Sequence, residues 1–221
     1  MNSRRVFIGW DSREVDAYNV CVESLRRTSA DIEIHPIKKD EIAAFNREEK
    51  NVSTEFAYSR FLTPYLSGYE GWSLFVDCDF LFTRDVNELF DLADDEYAVM
   101  CAQHDYTPKA SIKMDGQKQV AYPKKNWSSC VLWNCGHPAN TIITPEVVNA
   151  ESGAFLHRFY WLPDALIGEL PLEWNWLEGE YEKTDIPPAA IHFTNGGPWF
   201  DNCKDVDYAD MWLKIHREIQ Q

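Results

Sequence analysis

Apolar positions of two periods alternate along the first third of the chain. Val6, Phe7 and Ile8 form a short run that stops at Gly9-Trp10-Asp11, and from Val15 to Arg26 the residues Val15, Tyr18, Val22 and Leu25 recur at helical spacing. Ile32 to Ile37 alternates as a strand does. Strand, helix and strand at these lengths predict a parallel pair joined by a right-handed crossover. Glu55 to Leu66 places Phe56, Ser59 or Arg60, and Thr63 on successive turns of a helix that Pro64 should kink or end. Gly68 and Gly71 close it before an apolar strand from Trp72 to Val76. Val86 to Leu92 predicts a short helix with Asp85 as its N-cap, and Tyr97 to Cys101 and Ser128 to Trp133 predict strands. Short helical pieces follow around Pro145 to Leu156 and Asp164 to Glu169, and Val206 to Ile219 is an amphipathic helix carrying Met211, Trp212 and Ile215. The polar stretch from Gln103 to Lys125 reads as a surface loop or an acceptor-side lid.

This alternation predicts an α/β sandwich with ligands at the carboxyl ends of its strands, where Gly9 to Asp11 and Asp77 to Asp79 both fall. A chain of 221 residues without repeat, low-complexity tract or linker suits a single domain. With 36 acidic against 21 basic side chains the net charge is -15, which argues against a nucleic-acid partner. An anionic substrate stays feasible if a metal ion or local donors screen it. Six cysteines without a CxxC pair predict buried free thiols in a reducing compartment and no zinc site. The start MNSRRVFIGWD lacks the apolar stretch of a signal peptide, and no window reaches the length of a membrane span. The expectation is a soluble cytoplasmic protein, in which the sequons at Asn51 and Asn126 are chance matches.

The candidate chemistry begins in WSLFVDCDFLF, residues 72 to 82, where two aspartates interrupt an apolar run. In an extended segment side chains two apart share a face, so Asp77 and Asp79 converge while Cys78 turns back into the protein. Two hard oxygen ligands suit Mg2+ or Mn2+, which can bridge the oxygens of a diphosphate. An ionised pair in such apolar surroundings calls for a compensating cation, although Asp is also an ordinary cap and turn residue. Residues 191 to 199, IHFTNGGPW, set His192 between apolar neighbours and follow it with Asn195-Gly196-Gly197-Pro198, a turn that can offer backbone N–H groups to an anion. Imidazole suits Mn2+, so His192 is a third candidate ligand; a histidine there is also commonly a hydrogen-bonded core residue. Of nine tryptophans, Trp161, Trp174, Trp176 and Trp199 cluster and read either as flat apolar faces for sugar rings or as core and pocket wall, with Trp199 beside the glycine turn.

Taken together and in this order, AYSRFLTPYL, WSLFVDCDFLF and IHFTNGGPW resemble the donor-binding motifs of GT-A-fold glycosyltransferases, in particular the family-eight retaining enzymes that use UDP-sugars. The resemblance runs from the first strand to about Phe200. It implies a GT-A fold with a central, mostly parallel mixed sheet flanked by helices. Residues of about 1–100 would bind the nucleotide and about 101–221 would face the acceptor. The implied reaction moves a hexose-type sugar from a UDP-sugar to a glycan or other hydroxyl acceptor, with Mn2+ or Mg2+ and with retention.

The resemblance also implies roles. Asp77, Asp79 and His192 hold the metal, and Gly9, Trp10, Asp11 and Arg13 meet the uracil base and ribose. Arg60 approaches the donor sugar and diphosphate, where a guanidinium can pair with phosphate in a fork. Asp164 lies near the reacting sugar. Cys78, Ser128, Ser129, Asn134, Asn195, Gly196, Gly197 and Trp199 complete the nucleotide-sugar set.

Three departures from the family pattern stand out. No lysine occupies the shortened HFTNGGPW, so the phosphate cradle falls to the N–H groups of Gly196 and Gly197 or to Arg60. Ala165 stands where the family has glutamine, and Trp127-Ser128-Ser129-Cys130 replaces Asn-Ala-Gly-Val with Asn134 retained at the strand's end. For inversion, Asp164 or the Asp105 region would have to act as base. Three other classes compete: a haloacid-dehalogenase-type phosphatase, whose DxDxT motif would need threonine at Leu81, a sugar nucleotidylyltransferase, whose glycine-rich loop after the first strand FIGWDSRE does not supply, and a non-catalytic sugar-binding protein.

Overall fold

The computed structural model describes residues 4–48, 52–105 and 123–221. The opening folds as its periods predict, with β1 (Arg4–Gly9), α1 (Val15–Thr28) and β2 (Ile32–Ile37), and the two strands pair in parallel from Arg4 with Ile32 to Gly9 with Ile37. On the other side of β1 lies β3 (Trp72–Val76), also parallel, with Ile8 opposite Val76. The ends of β1 and β3 are therefore neighbours, and Gly9 to Asp11 and Asp77 leave the sheet side by side.

The run 72 to 82 is not one strand. It breaks in a turn at Cys78 and Asp79, after which β4 (Phe80–Phe82) joins a different sheet. Pro64 also behaves differently from expectation. A 3-10 turn at Ser59–Leu62 leads into α2 (Thr63–Leu66), and Pro64 sits in the first turn, where a missing N–H costs nothing. Next come α3 (Asn87–Phe90), with the Asn87 N–H donating to Asp85 Oδ1 at 2.9 Å, and β5 (Val99–Ala102). After the 3-10 turn Trp127–Ser129 the chain forms β6 (Cys130–Asn134), then α4 (Pro145–Ala150) and α5 (Gly153–His157).

The helical piece expected at Asp164 to Glu169 is helical only at Asp164–Leu166; β7 (Ile167–Leu170) pairs in parallel with β5. Gly168 lies flush on Tyr97, whose ring a Cβ would meet at 2.6 Å, and this close approach seats the strand. Two short strands, β8 (Trp176–Leu177) and β9 (Ala190–His192), precede the last helix, α6 (Ala209–Ile219).

The large sheet has the order β2-β1-β3-β6-β5-β7, and β6 alone runs antiparallel to its neighbours. The small sheet is β4-β9-β8. Alternation along β4 divides its side chains between two cores. Phe80 and Phe82 join the main cluster with Ile8, Val76, Phe61 and Trp133, whereas Leu81 joins Ile191, Phe193, Tyr208 and Trp212 under α6. All six cysteines are free and buried, and burial pushes the Cys101 and Cys130 thiols well up. Among the described residues no helix is long and apolar enough to cross a membrane. Most of the expected loop or lid from Gln103 to Lys125 lies outside the described residues.

Candidate metal centre and its surroundings

The turn between β3 and β4 carries Asp77 and Asp79, and the antiparallel pairing of Phe80 with His192 brings the imidazole alongside. One ligand atom from each of Asp77, Asp79 and His192 lies within 4.8 Å of the others. His192 Nε2 is 3.4 Å from Asp79 Oδ1, and the ring stacks on Phe80 with centroids 4.5 Å apart. The Phe193 N–H donates to the Asp79 carbonyl at 3.0 Å and ties the two segments together.

The far side of the imidazole is fixed by a residue the sequence reading missed. His192 Nδ1 is 2.8 Å from Asn175 Oδ1, while Asn175 Nδ2 donates to Ser129 Oγ at 3.0 Å and to the Asn126 carbonyl at 3.2 Å. Ser129 Oγ donates to that same carbonyl at 2.7 Å. With its NH2 directed at two acceptors, Asn175 must present its oxygen to the ring, so Nδ1 carries a hydrogen and Nε2 is the atom turned toward the carboxylates. The signal was a lone amide between Trp174 and Trp176, because a buried amide has to be paired. Two carboxylates and an imidazole nitrogen in this arrangement fit Mn2+ or Mg2+, and the nitrogen favours Mn2+.

Arg60 is only 6% exposed and donates to Asp77 Oδ1 at 2.6 Å and to the Ser128 carbonyl at 3.0 Å. Its guanidinium lies over Phe56 and Phe75 at 5.1 and 5.2 Å. It thus forms a buried ion pair with a candidate metal ligand rather than a surface bridge. The turn Trp127–Ser129 supplies the rest of this wall. Ser128 Oγ meets His157 Nδ1 at 2.8 Å, and burial with the Arg60 and Arg47 charges pushes His157 down to about 3, so the ring stays neutral.

At the end of β1, Asp11 has no exposed surface. Its Oδ1 accepts from Arg13 N and Nε at 2.9 Å, and its Oδ2 from Arg13 Nη2 at 2.6 Å and from Glu55 N at 3.0 Å. Burial alone would raise this carboxyl, but the Arg13 fork and the two amides hold it below the usual range. The Asp11 side chain is thus taken up by Arg13 and the Glu55 N–H, and the Arg13 side chain it holds is 53% exposed. Gly9 is required by packing, since a Cβ would meet the Phe56 ring at 2.3 Å. Trp10 is partly exposed, with Lys38 Nζ 5.3 Å from its ring centre.

Cys78 turns inward as expected, and its Sγ donates to Glu14 Oε2 at 3.3 Å. Glu14 is a second residue the sequence reading passed over, because an acid just ahead of α1 looks like ordinary helix-end chemistry. Burial, with the Asp79 charge next, pushes its carboxyl up to about 7.

Several expected site residues lie elsewhere or are otherwise engaged. Asn134 is the plainest correction. Because β6 is antiparallel to β3, Asn134 pairs with Trp72 while Cys130 pairs with Val76. That puts Asn134 a strand's length from Asp77, roughly 16 Å at about 3.3 Å per residue. It donates to the Tyr97 carbonyl at 3.2 Å instead. The Gly196 N–H, expected to face phosphate, donates to the Phe193 carbonyl at 2.8 Å, with Gly196 at φ +108°. A Cβ on Gly197 would meet the Trp199 ring at 2.1 Å. Trp199 packs against Phe193 and Trp212 as wall of the second core, and Asn195 Nδ2 donates to Glu180 Oε1 at 3.0 Å. Asp164 has 88% of its side chain exposed and accepts from Lys124 Nζ at 2.7 Å, and Asp105 is exposed after β5.

A mostly parallel sheet with one reversed strand, carrying an Asp-x-Asp turn and a facing histidine at its carboxyl edge, is a GT-A glycosyltransferase fold, and solved structures of that class superpose over nearly the whole chain. The bifunctional glycosyltransferase WbbM matches 98% of the chain with a TM-score of 0.68 at 15% identity. The glycosyltransferase GlyE of Streptococcus pneumoniae matches 98% with a TM-score of 0.65 at 15% identity. The chain spans 50% of the WbbM chain and 60% of the GlyE chain. The galactosyltransferase LgtC, solved in complex with donor and acceptor sugar analogues, matches 97% of the chain and 95% of its own with a TM-score of 0.60 at 12% identity. At these identities the likeness is one of fold. No family model matches the chain. The chain belongs to the family of the Arabidopsis thaliana protein CDI, with which it is 54% identical over 226 residues, covering 98% of the chain and 87% of that protein.

Proposed function

We propose that this chain is a glycosyltransferase of the family-eight type. It moves a hexose-type sugar from a UDP-sugar to a glycan or other hydroxyl acceptor, dependent on Mn2+ or Mg2+ and with retention of configuration. The observation that carries this reading is the convergence of Asp77, Asp79 and His192 within 4.8 Å at the carboxyl edge of a GT-A sheet, with Asn175 fixing the imidazole. Asp77, Asp79 and His192 would hold the cation, which when bound offsets the negative charge of the departing diphosphate as a Lewis acid.

The chain's own groups prepare that event. Arg60 holds the Asp77 carboxylate in place at 2.6 Å. Asp11 holds Arg13 at the end of β1, where its half-exposed guanidinium meets the nucleotide beside Trp10. Ser128 and Ser129 form the wall behind the donor. Under retention the leaving phosphate takes the proton of the acceptor hydroxyl, so no general base is asked of the protein, and Asp164, held by Lys124, orients the donor sugar. The six buried thiols support a reducing compartment, and we place the reaction in the cytoplasm.

A phosphatase of the DxDxT type is disfavoured by Leu81, which fills the threonine position and is packed in the second core with 1% exposure. Calorimetric titration of UDP with Mn2+, then with chelator, then of UDP-glucose and GDP-mannose, tests the proposal. The expected result is metal-dependent binding of UDP and UDP-glucose, with GDP-mannose weak. Absence of nucleotide binding in every condition overturns it and leaves a non-catalytic sugar-binding protein to be tested.

A further inference from the structure

The donor proposed above carries a diphosphate, and its charge grows as the bond to the sugar breaks, because the departing nucleoside diphosphate keeps the electron pair. One divalent ion does not balance this charge alone. The groups that would be first choices to help are already engaged. The Gly196 N–H donates to the Phe193 carbonyl at 2.8 Å, and Arg60 is held by Asp77 at 2.6 Å and by the Ser128 carbonyl at 3.0 Å. Arg13 and Lys124 are paired with Asp11 and Asp164 at 2.6 and 2.7 Å. No side chain can be supplied from position 197, because the Trp199 ring fills that space.

The fold brings a different cation to the glycine turn. Past the 3-10 turn at Asp201–Cys203 the chain returns on itself, and Lys204 Nζ donates to the Pro198 carbonyl at 2.8 Å. Its nearest carboxylate, Asp201, is 3.7 Å away and fully exposed, so water and salt screen that pairing. The Lys204 side chain is itself 46% exposed. This is a positive charge anchored through a neutral oxygen, with N–H donors to spare, since an ammonium has three and the anchor uses one. The turn it sits on is the direct continuation of β9 beyond His192, and the Phe193 N–H to Asp79 carbonyl bond stitches that segment to the aspartate turn.

We propose that Lys204 binds the donor's diphosphate and accompanies its growing charge, an assignment that rests on the UDP-sugar reading of the site. A compact ammonium on a flexible stem can follow a departing oxygen, which a planar fork clamped between two aromatic rings cannot. The inference is specific to this chain's short turn: the cation comes from beyond the turn and reaches back to it.

The test is titration of UDP and of uridine into wild type and into Lys204→Met and Lys204→Arg, with Mn2+ present and at two salt concentrations. Uridine binding is followed by ligand-observed NMR. Lys204→Met is expected to weaken UDP about tenfold or more and to flatten its salt dependence, as loss of one phosphate contact does, with uridine unchanged. Lys204→Arg is expected to recover most of the affinity. Two results overturn the assignment: UDP affinity in Lys204→Met equal to wild type, or an equal loss for uridine, which would mark a structural role for the Pro198 contact. Both leave the donor site standing provided wild type binds UDP in a chelator-sensitive way. If wild type itself binds no UDP, the donor reading fails and this inference falls with it.

Discussion

The two ends of β6 show how differently this fold treats buried polar side chains. At the far end, Asn134 and Asn140 close backbone gaps. Asn140 Nδ2 donates to the Ala98 and Asn134 carbonyls at 2.7 and 2.8 Å, and every group involved is neutral. At the near end, beyond Ser129, the partly buried Asp77 and Asp79 lie against the buried Arg60 and His192, with Glu14 accepting from Cys78 beside them. Neutral amides in a sheet serve stability, with each bond contributing about 1 kcal/mol. Acids gathered around one imidazole and one buried guanidinium lower stability unless something positive is added, and that surplus marks the functional end.

The comparison can be broken most completely at Asp79. Asp79→Ala is expected to abolish metal-dependent UDP binding in calorimetry while the circular-dichroism melt stays near wild type, because the removed group is a net electrostatic burden to the fold. Next in size is Arg60→Met, which strands the Asp77 carboxylate. A loss of about 3–5 kcal/mol is expected in denaturant titrations. The double variant Arg60→Met with Asp77→Asn should regain part of that stability without regaining UDP binding, and full additivity of the two changes would contradict a direct ion pair.

A matched pair of asparagine changes sharpens the contrast. Asn175→Ala should lower Mn2+ affinity roughly 10–100-fold by freeing the imidazole. Asn140→Ala should cost about 1–3 kcal/mol of stability and leave Mn2+ affinity as it was. A further test is in pH. His104 and His157 are both pushed down to about 3, chiefly by burial, so their contribution is complete above their ordinary value of 6.5. It drains as pH falls from there towards 3, by up to about 1.4 kcal/mol per pH unit for each. Glu14 has the opposite sign. With its carboxyl raised from 4.5 to about 7, it favours the metal-free fold at low pH and ceases to do so as pH rises through that interval. Melting temperature against pH in chelator should show both limbs, and Glu14→Gln should flatten only the second.

Much of this was legible before the coordinates. β1, α1, β2 and the strand Trp72 to Val76 follow from local period, and the metal trio follows from two short motifs read for their donor chemistry. What escaped has a common cause. Alternation along a strand says which face a residue occupies and nothing about which way the strand runs, so the reversal of β6 carried Asn134 to the wrong end of the sheet. Asp11 and the Gly196 N–H are polar groups in suitable loops, but their hydrogen bonds go to Arg13, Glu55 and Phe193. Glu14 and Asn175 acquire meaning only through neighbours 64 and 17 residues away.

The three-residue strand β4 has one more consequence. Asp77 hangs from the large sheet, whereas Asp79 and His192 flank the small one, and Phe80 and Leu81 between them plug into separate cores. A cation gripped by these three residues is therefore a rivet through both layers. Bound there, it would add one more link between the two sheets to those already made by Phe80 and Phe82 in the main core and by α1, which packs on both β4 and α6.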